Sequence, residues 1–179
     1  MLRTDRLVLE RWDEARLEEF VVLCADPEVM RFIGLGVTWD RARAEEASVR
    51  ALERWREFGF GRRSLIEDGR WLGFVEINLV GPGVAGVEPD EVEIGWWLAR
   101  SAWGKGFATE GACAIRDEGF ERVGLERLIG RFQPANVASG RIMEKLGMRY
   151  ERESTGRHDE PLSIYGLDRS TWLQARKIG

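Results

Sequence analysis

The stretch of this sequence that says most about chemistry is WWLARSAWGKGFATEG, residues 96–111, in which Gly104-Lys105-Gly106 separates a strand-like run from a helix-like one. Glycines at a helix start leave amides free at the positive end of the helix dipole, and such amides can bind phosphate oxygens. A phosphate loop of the nucleotide-hydrolase type is excluded, because Gly106 follows Lys105 where that loop needs Ser or Thr. A dinucleotide fingerprint is poorly matched, because Thr109 stands where its third glycine belongs. A tight turn without a ligand remains the alternative.

The elements that must position this turn can be predicted from local signals. Asp13 and Asp40 are predicted helix N-caps, and Gly59 is predicted to end the long helix that Asp40 begins. Asp68-Gly69 predicts a hairpin between two strands. The predicted order is a strand, helices, three strands, and then helices alternating with strands up to two closing strands. A meander followed by crossover units indicates a mixed α+β sheet with helices on its faces.

Several motifs in this order resemble one known family. EIGWWLARSAWGKGFATEG resembles the acetyl-coenzyme A (acetyl-CoA) signature of the GNAT N-acetyltransferases, specifically their RimJ/RimL-like branch. LRTDRLVLERWDEARLEEF resembles that branch's opening strand and helix, NVASGRIMEKLGM its second binding motif, and SIYGLDRSTW its closing strand. The resemblance therefore spans nearly the whole chain, and we expect a single domain over residues 1–179.

The resemblance implies a fold, a co-substrate and a class of acceptor. The expected GNAT fold is a mixed, mostly antiparallel central sheet of about seven strands, splayed in the middle and flanked by about four helices. The co-substrate would be acetyl-CoA, with no metal. The acceptor would be a primary amine, either a protein N-terminus or a small cationic amine, and some relatives pair as homodimers.

The resemblance also assigns residues that bind the coenzyme. Backbone amides near Leu98 would hold the thioester carbonyl, and Asn136 would be a helix N-cap, a partner of the pantetheine arm, or both. Ser101 replaces the Gln or Arg that the family often has three positions before the first glycine, so we expect the backbone to carry the pyrophosphate contacts. The residues of that backbone cradle are Gly104, Lys105, Gly106, Phe107, Ala108 and Thr109.

Catalysis by direct transfer would need a proton acceptor for the amine. Glu93 is the first candidate and Glu76, on the preceding strand, the second; both can also be read as solvated strand carboxylates. Glu91 shares a strand face with Glu93, because every second side chain of a strand points to the same face. The three carboxylates are therefore expected to form one acidic wall near a cationic acceptor. Trp97 is expected to line the acceptor cleft, because the adjacent Trp96 must face the opposite way.

The leaving thiolate would also need a proton donor. Many relatives place a tyrosine one turn after the position of Ser139, and here that position is Met143, which has no proton to donate. Ser139 is therefore the expected donor, although a serine also suits the start of a helix.

Composition limits the other function classes. Charged residues make up 32% of the chain without a long like-charged block, which is typical of a folded globular protein. The net charge of -4 supplies no basic field for nucleic acid. No apolar run approaches the roughly 20 residues of a membrane span, and the N-terminus lacks the features of a signal peptide, so we expect a cytoplasmic protein. Cys24 and Cys113 lack metal-ligand spacing, and His158 is the single histidine.

Two other function classes stay open. A non-catalytic domain that binds or senses acyl-CoA would explain Met143 and Ser101. A nucleotide-binding protein that uses the same glycines is the third reading, and it predicts that ATP or a dinucleotide competes with coenzyme A.

Overall fold

A computed structural model describes residues 1–178 and contains one sheet of eight strands in the order β1-β2-β3-β4-β5-β6-β8-β7. Neighbouring strands are antiparallel except β5 and β6, which run parallel. The predicted mixed α+β sheet is confirmed, with eight strands where about seven were expected, because a two-residue strand pairs at the edge. The strands are β1 (Leu2–Arg3), β2 (Val8–Arg11), β3 (Arg62–Glu67), β4 (Arg70–Leu79), β5 (Val92–Leu98), β6 (Arg127–Phe132), β7 (Arg149–Thr155) and β8 (Pro161–Asp168).

Residues 1–178 contain six α-helices where about four were expected. The one at the C-terminus was missed: SIYGLDRSTW was expected to be a strand, but β8 ends at Asp168 and a helix follows. Trp172 holds that helix in place, because its ring packs 5.2 Å from that of Phe120 and its Nε1 donates to Asp117 Oδ1 at 2.8 Å. The helices are α1 (Leu17–Ala25), α2 (Pro27–Met30), α3 (Arg41–Phe58), α4 (Phe107–Glu118), α5 (Val137–Lys145) and α6 (Arg169–Ile178).

The local signals lie where the sequence predicted them. Asp40 caps α3 by accepting from the amide of Arg43 at 2.9 Å, and Gly59 ends it in the left-handed conformation with φ of 70°. Asp68 and Gly69, with φ of 48° and 77°, form the turn between β3 and β4. Asp13 caps a single 3-10 turn before α1. Among the helices of the described chain, none is long and apolar enough to cross a membrane.

Three buried hydrophobic clusters pack against the two faces of the sheet. On one face, α4 and α5 pack against β4, β5 and β6, and this core contains Val75, Ile94 and Ile115. On the other face, α1 and α3 cover an aromatic core that includes Phe74 and, at its edge, Trp97. Phe74 pairs with Trp97 and Val75 with Trp96, so the adjacent tryptophans do face opposite ways.

The sheet opens between β5 and β6. β4 and β5 pair along their length, from Gly73 opposite Leu98 to Leu79 opposite Val92. β5 and β6 are registered at Glu93 and Ile129, beyond which the carboxyl-terminal parts of the two strands are not paired. Since parallel strands end at the same edge of a sheet, this opening faces the edge at which α4 and α5 begin.

Candidate active site

The glycine turn presents free amides at the start of α4. Gly104 and Gly106 have φ of 72° and 83°, a conformation that glycine adopts without strain. Gly106 is the N-cap of α4 and offers no side chain to bind the first amides of the helix. The first helical hydrogen bond runs from Glu110 N to Gly106 O. Within residues 1–178, the amides from Gly104 to Thr109 therefore have no protein acceptor, and the turn itself is exposed.

The cradle residues contribute in different ways. The Phe107 side chain is buried in the core beneath α4, so only its amide faces the turn. Lys105 is exposed, and its carbonyl oxygen accepts from Arg6 Nη1 at 2.9 Å. Ala108 and Thr109 are half-buried in the first turn of α4. Unpaired amides at a helix N-terminus fit the pyrophosphate of a coenzyme without help from a side chain at Ser101.

The Leu98 amide faces the opening between β5 and β6. The next amide, that of Ala99, donates to Leu72 O on the β4 side at 2.9 Å. Because successive amides of a strand point to opposite sides, the N–H of Leu98 points away from β4. Its carbonyl accepts from Trp103 Nε1 at 2.7 Å. Leu98 thus has its amide available at the edge where the glycine turn lies.

The first turn of α5 holds the predicted proton donor. Asn136 is the N-cap, and its Oδ1 accepts from the amide of Ser139 at 3.3 Å. The Ser139 hydroxyl is half-buried and has no protein partner in the part of the chain that the structure describes. Met143, one turn later, is buried against Gly130 in the core. Ser139 is the one residue of α5 with a hydroxyl group, and it lies in the first turn of that helix.

Glu93 forms an ion pair that sequence reasoning missed. Its two carboxylate oxygens accept from Arg131: one from Nη2 at 3.0 Å and the other from Nε. The pair crosses from β5 to β6 on the face covered by α1 and α3. Burial lowers the pKa of Arg131, but the charge and hydrogen bonds of Glu93, together with the charges of Glu160 and Glu76, outweigh burial and raise that pKa. Glu93 therefore lies beside a firmly charged guanidinium rather than in open solvent.

The other two carboxylates do not complete an acidic wall. Glu76 accepts from Arg62 Nε at 2.9 Å, and the Arg62 guanidinium lies 4.0 Å from the ring centroid of Phe74. Glu91 precedes β5 and lies 3.6 Å from Arg127 Nε. Each of the three carboxylates thus faces an arginine from a neighbouring strand, so the expected wall does not present free negative charge. At 3.3 Å per residue, Glu91 is also about 23 Å along the strand from Leu98.

Trp97 lies on the same face as Glu93 and Glu76. Its ring centroid is 5.2 Å from that of Trp39 and 5.3 Å from that of Phe74. At the carboxyl edge beyond it, three loops meet: Gln133 Nε2 donates to Gly34 O at 2.7 Å, and a Cβ on Gly34 would lie 3.8 Å from the His158 ring. This face therefore combines an aromatic wall with three loops that contact one another at its carboxyl edge.

Other reactive groups do not add to this site. Cys113 is half-buried in α4, and burial raises the pKa of its thiol, which makes it a poor nucleophile. Burial likewise raises the pKa of Cys24 to about 12. Across residues 1–178, no group of three or more His, Cys, Asp or Glu side chains could hold a metal ion.

Comparison with known proteins identifies the family of this chain. A family model described as an acetyltransferase (GNAT) domain matches residues 6–149. The uncharacterized protein YkkB of Bacillus subtilis (strain 168) is 32% identical over 177 residues, which cover 92% of this chain and 93% of that protein. The uncharacterized N-acetyltransferase p20 of Bacillus licheniformis is 30% identical over 155 residues, covering 84% of this chain and 83% of that protein.

A solved structure has the same architecture. The acetyltransferase from Agrobacterium tumefaciens str. C58 superimposes with a TM-score of 0.78 at 28% identity, covering 93% of this chain and 92% of that one. The chain therefore belongs to the GNAT acetyltransferase family and is an acetyl-CoA-dependent acyltransferase.

Proposed function

We propose that this enzyme transfers the acetyl group of acetyl-CoA directly to a primary amine, as in the RimJ/RimL-like branch that its motifs resemble. The observation that carries the proposal is the run of free amides from Gly104 to Thr109 beside the opening between β5 and β6. These amides suit the pyrophosphate, and the opening suits the pantetheine arm behind it. In this proposal Leu98 N holds the thioester carbonyl, Asn136 contacts the arm, and the amine approaches along Trp97.

An α-amine, such as a peptide N-terminus, is the favoured acceptor. At pH 7 about a tenth of α-amines with a pKa near 8 are neutral, against about one in 2,500 lysine-like amines with a pKa near 10.4. Both oxygens of Glu93 already accept from Arg131, and Glu76 already accepts from Arg62, so a charged ammonium group would have to compete with an arginine for either carboxylate. An acceptor that is partly neutral already suits such a site best.

The charges on this face do not favour a cationic acceptor. The guanidiniums of Arg54, Arg62 and Arg131 are matched by three carboxylates that act on them, so this group of charges has no net negative charge; the carboxylates are those of Glu76, Glu93 and Glu160. Burial lowers the pKa of Arg54, and the charges of Glu76 and Glu93 partly oppose that effect. We therefore place small cationic amines second, after α-amines.

Replacing Glu93 by Gln is expected to lower turnover at least tenfold at pH 7 and to change the Kd for acetyl-CoA less than twofold. Glutamine can still accept a hydrogen bond from Arg131 but cannot take the proton of the amine, and general bases contribute roughly 10²–10⁴-fold. The measurement is thiol release at saturating acetyl-CoA between pH 6 and 9. Glu91→Gln, just before β5, is the matched control, and Glu76→Gln tests the second candidate. Unchanged turnover of Glu93→Gln over this pH range would remove Glu93 from the mechanism.

Replacing Ser139 by Ala is expected to lower kcat about three- to tenfold with little change in Kd for acetyl-CoA. The effect is modest because a thiol with a pKa near 8.5 leaves readily without an acid. Single-turnover kinetics on the variant, beside an exposed control such as Ser101→Ala, measures the chemical step. A loss smaller than threefold would mean that water protonates the thiolate.

The proposed function is tested by calorimetric titration with acetyl-CoA, NAD and ATP at fixed salt, followed by an acceptor screen. The screen compares dipeptides that have a free α-amine with lysine derivatives that have only the ε-amine free. We expect selective binding of acetyl-CoA at one site per chain and thiol release that α-amines stimulate most. Binding without thiol release for any amine would favour the acyl-CoA-binding alternative, and tighter binding of ATP or NAD would contradict the coenzyme assignment.

A further inference from the structure

A guanidinium from the N-terminal segment packs against the glycine turn. Arg6 lies between β1 and β2, and its Nη1 donates to the carbonyl oxygen of Lys105 at 2.9 Å. A Cβ built on Gly106 would lie 3.3 Å from Arg6 Nη2, so the guanidinium touches the backbone of the turn. The same group lies 4.6 Å from the ring centroid of Phe107. Arg6 therefore contacts three consecutive residues of the cradle.

The partner of Arg6 is an acid in the first turn of α4. One oxygen of Glu110 accepts from Arg6 Nε at 2.7 Å, and the other accepts from the amide of Arg6 at 3.0 Å and from Thr4 Oγ1 at 2.5 Å. Burial would raise the pKa of Glu110, but the hydrogen bonds from Thr4 and Arg6 outweigh it and lower that pKa. Glu110 is therefore charged at neutral pH.

This charge has two opposite effects at the start of α4. A carboxylate near a helix N-terminus stabilises the helix through its dipole. The same carboxylate repels a second anion that binds to the free amides of that terminus. A bound pyrophosphate would lie at the same end of α4 as Glu110, so the negative charge has to be compensated for tight binding. Arg6 is the cation in direct contact with it.

We propose that Arg6 is a positioning residue for the coenzyme: it fixes the glycine turn through Lys105 and cancels the charge of Glu110, so that the free amides accept a pyrophosphate. The inference rests on the proposed coenzyme site and adds to it a residue about one hundred positions away in the sequence. In this proposal, the turn between β1 and β2 affects the affinity for the coenzyme, and other residues carry out the acetyl transfer.

The test is a set of Kd values for coenzyme A, measured by calorimetry on Arg6→Gln, Glu110→Gln and the double variant. Arg6→Gln should bind coenzyme A at least tenfold more weakly than the unmodified protein. The charge of Glu110 would then be uncompensated, and the carbonyl oxygen of Lys105 would lose its hydrogen bond from Arg6. The double variant should recover at least threefold of that loss, because the uncompensated charge is gone. Arg3→Gln, an exposed arginine of the same segment, is the matched control and should bind normally.

A purely structural role predicts a different pattern. Activity with S-acetylpantetheine, which lacks the pyrophosphate, should be the same in Arg6→Gln and the unmodified protein; an equal loss with both acetyl donors would overturn the proposal. Binding of coenzyme A by Arg6→Gln within threefold of normal, or no recovery in the double variant, would overturn it as well. If Arg6→Gln does not fold, Glu110→Gln tests the proposal instead. This variant lacks the opposing charge and should bind coenzyme A at least as tightly as the unmodified protein; weaker binding would overturn the proposal. No binding by the unmodified protein would instead refute the proposed function itself.

Discussion

Gly106→Val is expected to bind acetyl-CoA at least 30-fold more weakly than the unmodified protein. A β-branched residue at φ of 83° is strongly disfavoured, at a cost of about 1–3 kcal/mol. The free variant would relieve this strain by leaving the left-handed conformation, and the amides of the turn would then no longer converge. Binding would have to restore the strained conformation, and about 1.4 kcal/mol corresponds to a tenfold change in Kd. The new side chain would also crowd Arg6.

The matched control for this variant is Gly124→Val. Gly124 has φ of 79° and ends the helical segment that begins at Gly106, and a Cβ there meets no atom within 4 Å. The substitution imposes similar backbone strain far from the glycine turn. Calorimetry should therefore show normal acetyl-CoA binding for Gly124→Val. If both variants, once shown to be folded, bound acetyl-CoA like the unmodified protein, the amides at Gly106 would not be the coenzyme site.

Glu118→Gln is expected to lower the free energy of unfolding by about 3 kcal/mol, because breaking a buried ion pair strands the remaining charge. Arg63 donates to both oxygens of Glu118, at 2.5 and 2.7 Å, and the two side chains are only 6% and 3% exposed. Arg122 adds a bond of 2.7 Å at the surface side. For a chain of this size the change corresponds to a fall in Tm of roughly 6–12 °C, which calorimetric melting would detect.

The pH dependence of this effect has a definite sign. Burial would raise the pKa of Glu118, but the bonds from Arg63 and Arg122 outweigh it and hold that pKa below its usual value of 4.5. The stabilisation is then fully present above pH 4.5 and is lost as the pH falls through the lowered pKa. The difference between the unmodified protein and Glu118→Gln should therefore be constant from pH 5.5 to 8 and shrink below pH 4.5. Glu18→Gln is the control, because Arg41 binds both oxygens of Glu18 in an exposed pair. A loss of stability as large in Glu18→Gln would contradict this account.

The turns and helix ends were predictable because their causes are local. Asp40 and Gly59 bound α3 through contacts with their own neighbours, and Asp68-Gly69 sets its own backbone conformation. The glycine turn at Gly106 belongs to the same class, since its φ and its missing side chain are properties of one residue. A sequence window of a few residues contains all of these causes.

The partners of the carboxylates were not predictable in this way. The period of two placed Glu93 on a strand face, but its partner Arg131 is 38 residues away on a strand that follows a crossover helix. The contact between Arg6 and Glu110 spans 104 residues. Trp172 likewise holds α6 in place through contacts with Phe120 and Asp117, which are distant in the sequence. A short sequence window does not contain these contacts, and a strand was expected where α6 lies. The sequence did give one indication of a role for Arg6. This residue and Thr4, which both contact Glu110, lie in the motif that resembles the family's opening strand.

The opening between β5 and β6 also affects the lifetime of the protein against proteolysis in the cell. Backbone pairing between strands β1–β5 and strands β6–β8 depends on the short registered contact at Glu93 and Ile129, so a molecule seated in the opening would join the two halves. A ligand at a hundred times its Kd adds about 2.7 kcal/mol to the free energy of unfolding. Cellular proteases act on the unfolded fraction, so the lifetime of the enzyme should rise and fall with the supply of its own co-substrate.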